Sequence, residues 1–377
     1  MASRVRSGRR IGFVLLLALL LAGCGNTPTA SVPVVAVVIP STGPTPSPSP
    51  SPSPPPSPTP VTSIAPAAPW VDPTIADLTG VKTDPALAHR LPIAVLLDDN
   101  RIARPQSGFN NASMVYQAPA DGGETRYMFV YQEGDSPQIG PIRSARIYFI
   151  HWASETRAAI AHYGGDRRSR SYLRGFDGER LTNLDALDGS GKAFRRISSR
   201  KAPHNGYSST AALRAMALKR GAPVSTAVDM YRHTFVAPGT LASRAATQRI
   251  RIPYRTGLIE YRFDRASDLY RRFVDGRPQV DPADHKAVTT RNVVIMFMGF
   301  HTDTKIEPGH SRPVVDSIGS GRAVIFREGR RTEATWSKKY QIAPTRLLDA
   351  NGNEIPLVTG RTFFQIVPKG TKVTAGP

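Results

Sequence analysis

The sequence predicts an α+β protein: a mixed α/β N-terminal domain over residues 89–235, followed by a smaller β-rich C-terminal domain over 250–377. Between 89 and 235, short apolar runs alternate with stretches of helical periodicity. From 250 onward the runs are short, β-like and separated by Asp275-Gly276, Glu328-Gly329 and Asn351-Gly352, dipeptides that favour hairpin turns. Setting aside the first 88 residues leaves about 290, more than one hydrophobic core usually spans, so two domains are expected.

The first ten residues carry Arg4, Arg6, Arg9 and Arg10 and no acid, and an unbroken apolar run from Ile11 to Ala22 follows. At about a dozen residues this run is shorter than the roughly 20 that a spanning helix needs, so residues 1–23 are read as a cleaved signal peptide. The run closes on Leu21-Ala22-Gly23-Cys24, which resembles the lipobox of bacterial lipoproteins. The resemblance implies that the Cys24 thiol is lipidated. Cys24 is the single cysteine of the chain, consistent with a thiol kept for chemistry rather than for a disulfide. Arg9-Arg10 hints at twin-arginine export, but Gly12 stands where an apolar residue is preferred, so general secretory export is expected.

Residues 24–88 are expected to form a disordered tether. Every residue from Pro44 to Pro60 is Pro, Ser or Thr, a composition that buries no core and prefers polyproline II. At roughly 3.1 Å per residue this spacer reaches about 50 Å. The folded part is therefore placed outside the cytoplasmic membrane, tied to it by lipid. The formal charge of +20 stays strongly positive after the signal arginines are removed. A basic surface outside the membrane meets anionic head groups, phosphate polymers, acidic glycans or peptidoglycan carboxylates, and this address excludes nucleic acid as the partner.

In chain order, Pro92 to Leu97 is a buried strand ending at Asp98-Asp99-Asn100. Met114-Val115-Tyr116 and Tyr127 to Tyr131 are two strands joined through Asp121-Gly122-Gly123-Glu124, with Arg126 at the start of the second. Ala145 to Arg157 is a helix with Ser144 available as its cap. Ala158 to Tyr163 is a strand stopped by Gly164-Gly165-Asp166, ahead of an arginine-rich stretch from Arg167 to Leu173. Thr210 to Lys219 is a further helix. In the β-rich part the strands are Leu258–Phe263, Tyr270–Val274, Val293–Met298, Ala323–Arg327 and Thr362–Val367.

Taken together, Ala103-Arg-Pro-Gln-Ser-Gly108, Thr125-Arg126, Gly140-Pro-Ile-Arg-Ser-Ala-Arg146, Gly164-Gly165 and Ala202-Pro-His-Asn205 resemble the YerB-like lipoproteins of domain-of-unknown-function family 3048. The C-terminal half resembles that family's partner domain through His285, Gly319-Ser-Gly321, Thr335-Trp336, Asp349-Ala-Asn-Gly352 and Gly360-Arg-Thr362. The resemblance implies the two-domain lipoprotein architecture and supplies no reaction. Gln117 departs from it by standing where an acid is expected after Val115-Tyr116.

The densest candidate site is Arg104, Arg126, Arg143 and Arg146, whose guanidinium forks suit phosphate or carboxylate. Gly164, Gly165, His204 and Asn205 complete the expected ligand-binding set. Arg143 and Arg146 fall at a helix N-terminus, where the dipole disfavours cations, so a nearby anion must compensate. That anion is either a ligand or one of Asp98, Asp99 and Glu124. The leading expectation is a non-catalytic envelope protein holding an anionic wall or membrane component. A second is a metal-assisted phosphotransferase or hydrolase on wall precursors, with Asp98 and Asp99 on a divalent ion, although adjacent acids on a strand point to opposite faces. A third is a scaffold docking envelope proteins on its β-rich part. No thiol, Gly-x-Ser-x-Gly or His-Glu-x-x-His motif points to the familiar hydrolases, and neither a metal nor another cofactor is expected.

Overall fold

Five strands from each half of the chain lie side by side in one ten-stranded sheet. The computed structural model describes residues 72–175, 181–226, 230–246 and 248–376. The expected signal peptide, the expected lipidation site Cys24 and the expected Pro44–Pro60 spacer lie outside the described residues.

The first half supplies β1 (Ile93–Asp98), β2 (Met114–Pro119), β3 (Thr125–Tyr131), β4 (Ala159–His162) and β5 (Thr182–Asp185). It also supplies the helices α1 (Pro85–Ala88), α2 (Ile147–Glu155), α3 (Arg167–Arg174) and α4 (Thr210–Lys219). The second half adds β6 (Arg249–Tyr254), β7 (Gly257–Asp264), β8 (Leu269–Val274), β9 (Arg277–Pro278) and β10 (Thr289–Thr290). Then follow β11 (Asn292–Met298), β12 (Phe300–Glu307), β13 (His310–Val315), β14 (Gly319–Arg327) and β15 (Arg330–Lys338). The chain closes with β16 (Arg346–Leu348), β17 (Thr362–Pro368) and β18 (Thr374–Gly376).

The large sheet runs β16-β15-β14-β11-β17-β2-β3-β1-β4-β5, and β17 pairs parallel with both β11 and β2. The segments 89–235 and 250–377 thus share a sheet instead of closing separate cores. β1 is buried along its whole length because both its faces are covered, so it reads as a continuous apolar run rather than an alternation. On one face Ile93, Val95 and Leu97 pack with Ile250, Ile252, Tyr261 and Tyr270 of a second sheet, β9-β8-β7-β6-β18, in which β10 also pairs with β8. On the other, Ala94 and Leu96 pack with Phe149, Trp152 and Leu173 of α2 and α3.

Three expectations change. The tether was placed out to residue 88, yet from Asp72 the chain is part of the fold, with Ala76, Leu78 and Ala88 buried. Buried Asp77 fastens this segment: His89 Nδ1 lies 2.9 Å from it, Gln132 and Thr226 donate to it, and Arg232 pairs with it. The α2 cap position is Arg146 and not Ser144, and its side chain makes no capping bond. The arginine-rich stretch is itself a helix, α3, started by Asp166 accepting from Ser169 N at 2.8 Å.

Candidate functional site

β1, β4 and β5 run parallel, and their C-terminal ends gather the loops that carry most of the chemistry-bearing residues. In open sheets such an edge is where ligands are bound. The four arginines expected to form one cluster are divided among three carboxylates by the alternation of strand residues.

Asp99 points to the face under the second sheet. Its Oδ1 accepts from Arg104 Nε and Gln106 Nε2 at 3.0 Å each, and its Oδ2 accepts from Gln117 Nε2 at 2.8 Å and from the Thr125 hydroxyl. Asp98 points to the opposite face, where Oδ2 lies 2.6 Å from His204 Nδ1 and 3.2 Å from Arg143 Nε. The two acids are therefore committed on opposite sides of the sheet. Among the described residues no three His, Cys, Asp or Glu side chains are grouped to hold a metal ion.

Arg126 and Arg146 meet on Asp121, a residue of the turn between β2 and β3. Arg126 Nη2 reaches Asp121 Oδ2 at 2.9 Å, Arg146 pairs with the same oxygen, and Arg312 of β13 lies 3.0 Å from Oδ1. Arg146 also lies 3.6 Å from Asp166. Burial raises the Asp121 carboxyl, but Arg126 and Arg146 outweigh it and hold it below the usual range. Burial together with Arg146 draws Arg126 down to about 10. These arginines are therefore compensated from within the protein, as buried pairs that need no ligand. Glu124, offered as a partner, instead accepts from Asn100 Nδ2 at 2.5 Å. Asn205 accepts from Arg196 Nη1 at 2.6 Å, so it does not orient His204. Arg143, which pairs only through Nε, is the most exposed of the four.

Unpaired cations stand on α3. Arg167, Arg168, Arg170 and Arg174 are exposed, and none forms an ion pair or hydrogen bond with another described side chain. Arg170 and Arg174 rim a cavity of about 490 Å³ at the ends of β4 and β5, lined also by His162, Gly164, Gly165, Asn183, Asp185 and Asp188. Gly164 has φ +61°, a left-handed conformation that glycine adopts without strain, and donates its N–H to Asp185 Oδ1 at 2.8 Å. A Cβ there would stand 3.2 Å from Leu187, and one on Gly165 3.2 Å from the Cβ of Ser169, so the pair also lets the α3 start pack closely. On the other flank of α3, Arg167, Arg168, Ser171 and Tyr172 face α2 and β12 across a groove of about 610 Å³.

His151 lies in that groove with its Nδ1 3.0 Å from the Ser317 hydroxyl. The spacing suits a nucleophile and its base, but burial, with Lys338 and Arg168 adding to it, pushes His151 down to about 3. A histidine so reluctant to protonate is a poor general base, and this pair is read as part of the packing between α2 and the second half.

Family models for the N-terminal and C-terminal domains described as "Protein of unknown function (DUF3048)" match residues 78–223 and 250–364, together well over half of the chain. The chain belongs to the DUF3048 family. It is 29% identical over 300 residues to "Putative lipoprotein YerB" of Bacillus subtilis, covering 78% of this chain and 86% of that protein. The crystal structure of YerB from Bacillus subtilis superposes with a TM-score of 0.70 at 26% identity, over 80% of this chain and 99% of that one.

In this DUF3048 chain, reasoning from sequence missed Asp121 and the α3 arginines. The signal for α3 was present: Asp166 directly precedes a stretch without Gly or Pro, the mark of an N-cap. Arg126 is five residues from Asp121, but its other partners Arg146 and Arg312 are 25 and 191 residues away, so the sequence does not show that one acid collects all three.

Proposed function

We propose that this DUF3048 chain is a cell-envelope lipoprotein, anchored outside the membrane through Cys24, that binds an anionic wall or membrane component at the β4–β5 edge. One observation carries the reading: among the described residues Arg170 and Arg174 have no ion-pair partner over the cavity, while Arg126 and Arg146 are neutralised by Asp121. An exposed arginine rimming a concave site attracts anions and gives them a bidentate fork. The anionic site expected at Arg104, Arg126, Arg143 and Arg146 therefore moves one helix along.

The test is retention of the full chain on purified cell wall and on vesicles of anionic phospholipid. Arg170→Glu with Arg174→Glu is expected to abolish retention on one of the two surfaces at unchanged melting temperature. Retention of this variant equal to that of the parent on both would sink the reading.

A further inference from the structure

α3 separates two concave sites, and its cations serve both. At about 100° per residue, buried Ser169 and Leu173 define the inner side of α3. Arg170 and Arg174 then fall on the flank of the 490 Å³ cavity, and Arg168, Ser171 and Tyr172 on the flank of the 610 Å³ groove. Arg167, nearer the solvent crest, lines the groove together with Arg168. Arg168 also lines a third hollow of about 380 Å³ that shares Ile147 and His151 with the groove, so the second site continues toward β13 and Lys369. No acid of α3 offsets these charges, and like charges three or four residues apart weaken a two-turn helix. A single small anion at one flank would neutralise only half of them.

Each flank also holds acceptors beside its arginines: Asn183, Asp185 and Asp188 on one side, Asp303 on the other. The three aspartates repel a chain of contiguous charges, and all four groups can accept hydrogen bonds from hydroxyls. The complementary ligand alternates anionic groups with hydroxyl-bearing spacers. To pass from one hollow over the crest into the other, it must bend around a helix roughly 10 Å across, which favours a flexible backbone over a stiff, ring-linked one.

Building on the anionic site proposed above, we infer that the ligand is a polyol-phosphate polymer lying across α3, with successive phosphodiesters on the Arg170/Arg174 and Arg167/Arg168 flanks. Occupying both flanks makes the second contact intramolecular, so affinity climbs with ligand length once the helix is spanned.

The experiment is titration of the full chain, purified in detergent, with inorganic phosphate, a short glycerol-phosphate oligomer, a long one, and a polyuronate of matched length. The long oligomer is expected to bind on the order of a hundredfold more tightly than the short one. Arg167→Gln with Arg168→Gln should remove that gain while leaving the short oligomer unaffected, and lysine at both positions should restore most of it. Short and long oligomers binding alike, both lost in Arg170→Glu with Arg174→Glu, would overturn the two-flank inference and keep the anionic site. A polyuronate binding as tightly as the long phosphate would overturn the phosphodiester assignment. If no anion bound at all, the underlying reading would fall as well.

Discussion

Arg312 Nη1 lies 3.0 Å from Asp121 Oδ1 across 191 residues of sequence, joining the β12–β13 hairpin to the turn that also collects Arg126 and Arg146. One carboxylate thus serves three guanidinium groups from three elements. Replacing Asp121 by Asn leaves Arg126 and Arg146 buried without that charge. Removing one partner of a buried pair costs about 3 kcal/mol or more, so Asp121→Asn is expected to lower the midpoint of denaturant unfolding sharply. Arg312→Gln, which removes the least buried of the three partners and leaves the other two paired, should cost much less. Equal losses in the two variants would show that Asp121 is not the shared anchor.

The Arg272 guanidinium is wholly buried between the two sheets and touches no carboxylate. It donates to Gln117 Oε1 at 2.8 Å, to the Tyr127 hydroxyl at 2.9 Å, to the Tyr261 hydroxyl at 3.2 Å and to Gln279. Gln117 passes the chain on by donating to Asp99. An amide is suited to this position because it accepts from a cation on one side and donates to an anion on the other. Gln117→Leu breaks both bonds and leaves two charged groups short of a partner, an expected loss of about 3 kcal/mol in equilibrium unfolding. A variant as stable as the parent would refute this relay.

The sharing of one sheet predicts that neither half folds alone. Without the second half, β2 loses β17 along its edge, and Tyr127, Phe129 and Tyr131 lose the covering sheet. Residues 72–246 and 248–377 expressed separately are expected to be insoluble or to lack cooperative unfolding, and co-expression is expected to restore a soluble complex. A cooperative melt from either fragment alone would show that its core is self-sufficient.

What was legible in the sequence followed the range of the interactions. The helix expected at Thr210–Lys219 is α4 with those same limits, because its Ser209 cap and inward Leu213 and Ala217 are local features. The apolar runs at Ile93, Tyr127, Val293 and Thr362 became strands because each is buried on both faces. α3 escaped notice because only Ser169 and Leu173 face inward, too few to make an apolar stripe. The arginine pairings were out of reach for another reason. Residue type shows that Arg126 and Arg146 need an anion, but whether Asp98, Glu124 or Asp121 supplies it depends on side-chain direction and on a hairpin from the far half of the chain. The same holds for the domain division, since the parallel pairing of β17 with β2 that carries the large sheet across the two halves joins residues far apart in sequence.

Acid should expose His151. In the fold, burial first and then Lys338 and Arg168 push its pKa down to about 3, while in the unfolded chain it titrates near 6.5. Between these values the unfolded chain takes up a proton that the folded chain refuses. Stability is therefore lost as pH falls from about 6.5 toward 3, and this contribution stays constant above 6.5. One such group contributes a slope of up to about 1.4 kcal/mol per pH unit. Unfolding free energies measured from pH 7 to pH 4 should fall steeply in the parent and less steeply in His151→Gln, whose amide can still bond to Ser317 but cannot titrate. The comparison is of slopes, so a general loss of stability in the variant does not obscure it. Parallel slopes would mean that His151 is protonated in the fold at acid pH and that Ser317 and the backbone around it give way to accept the charge.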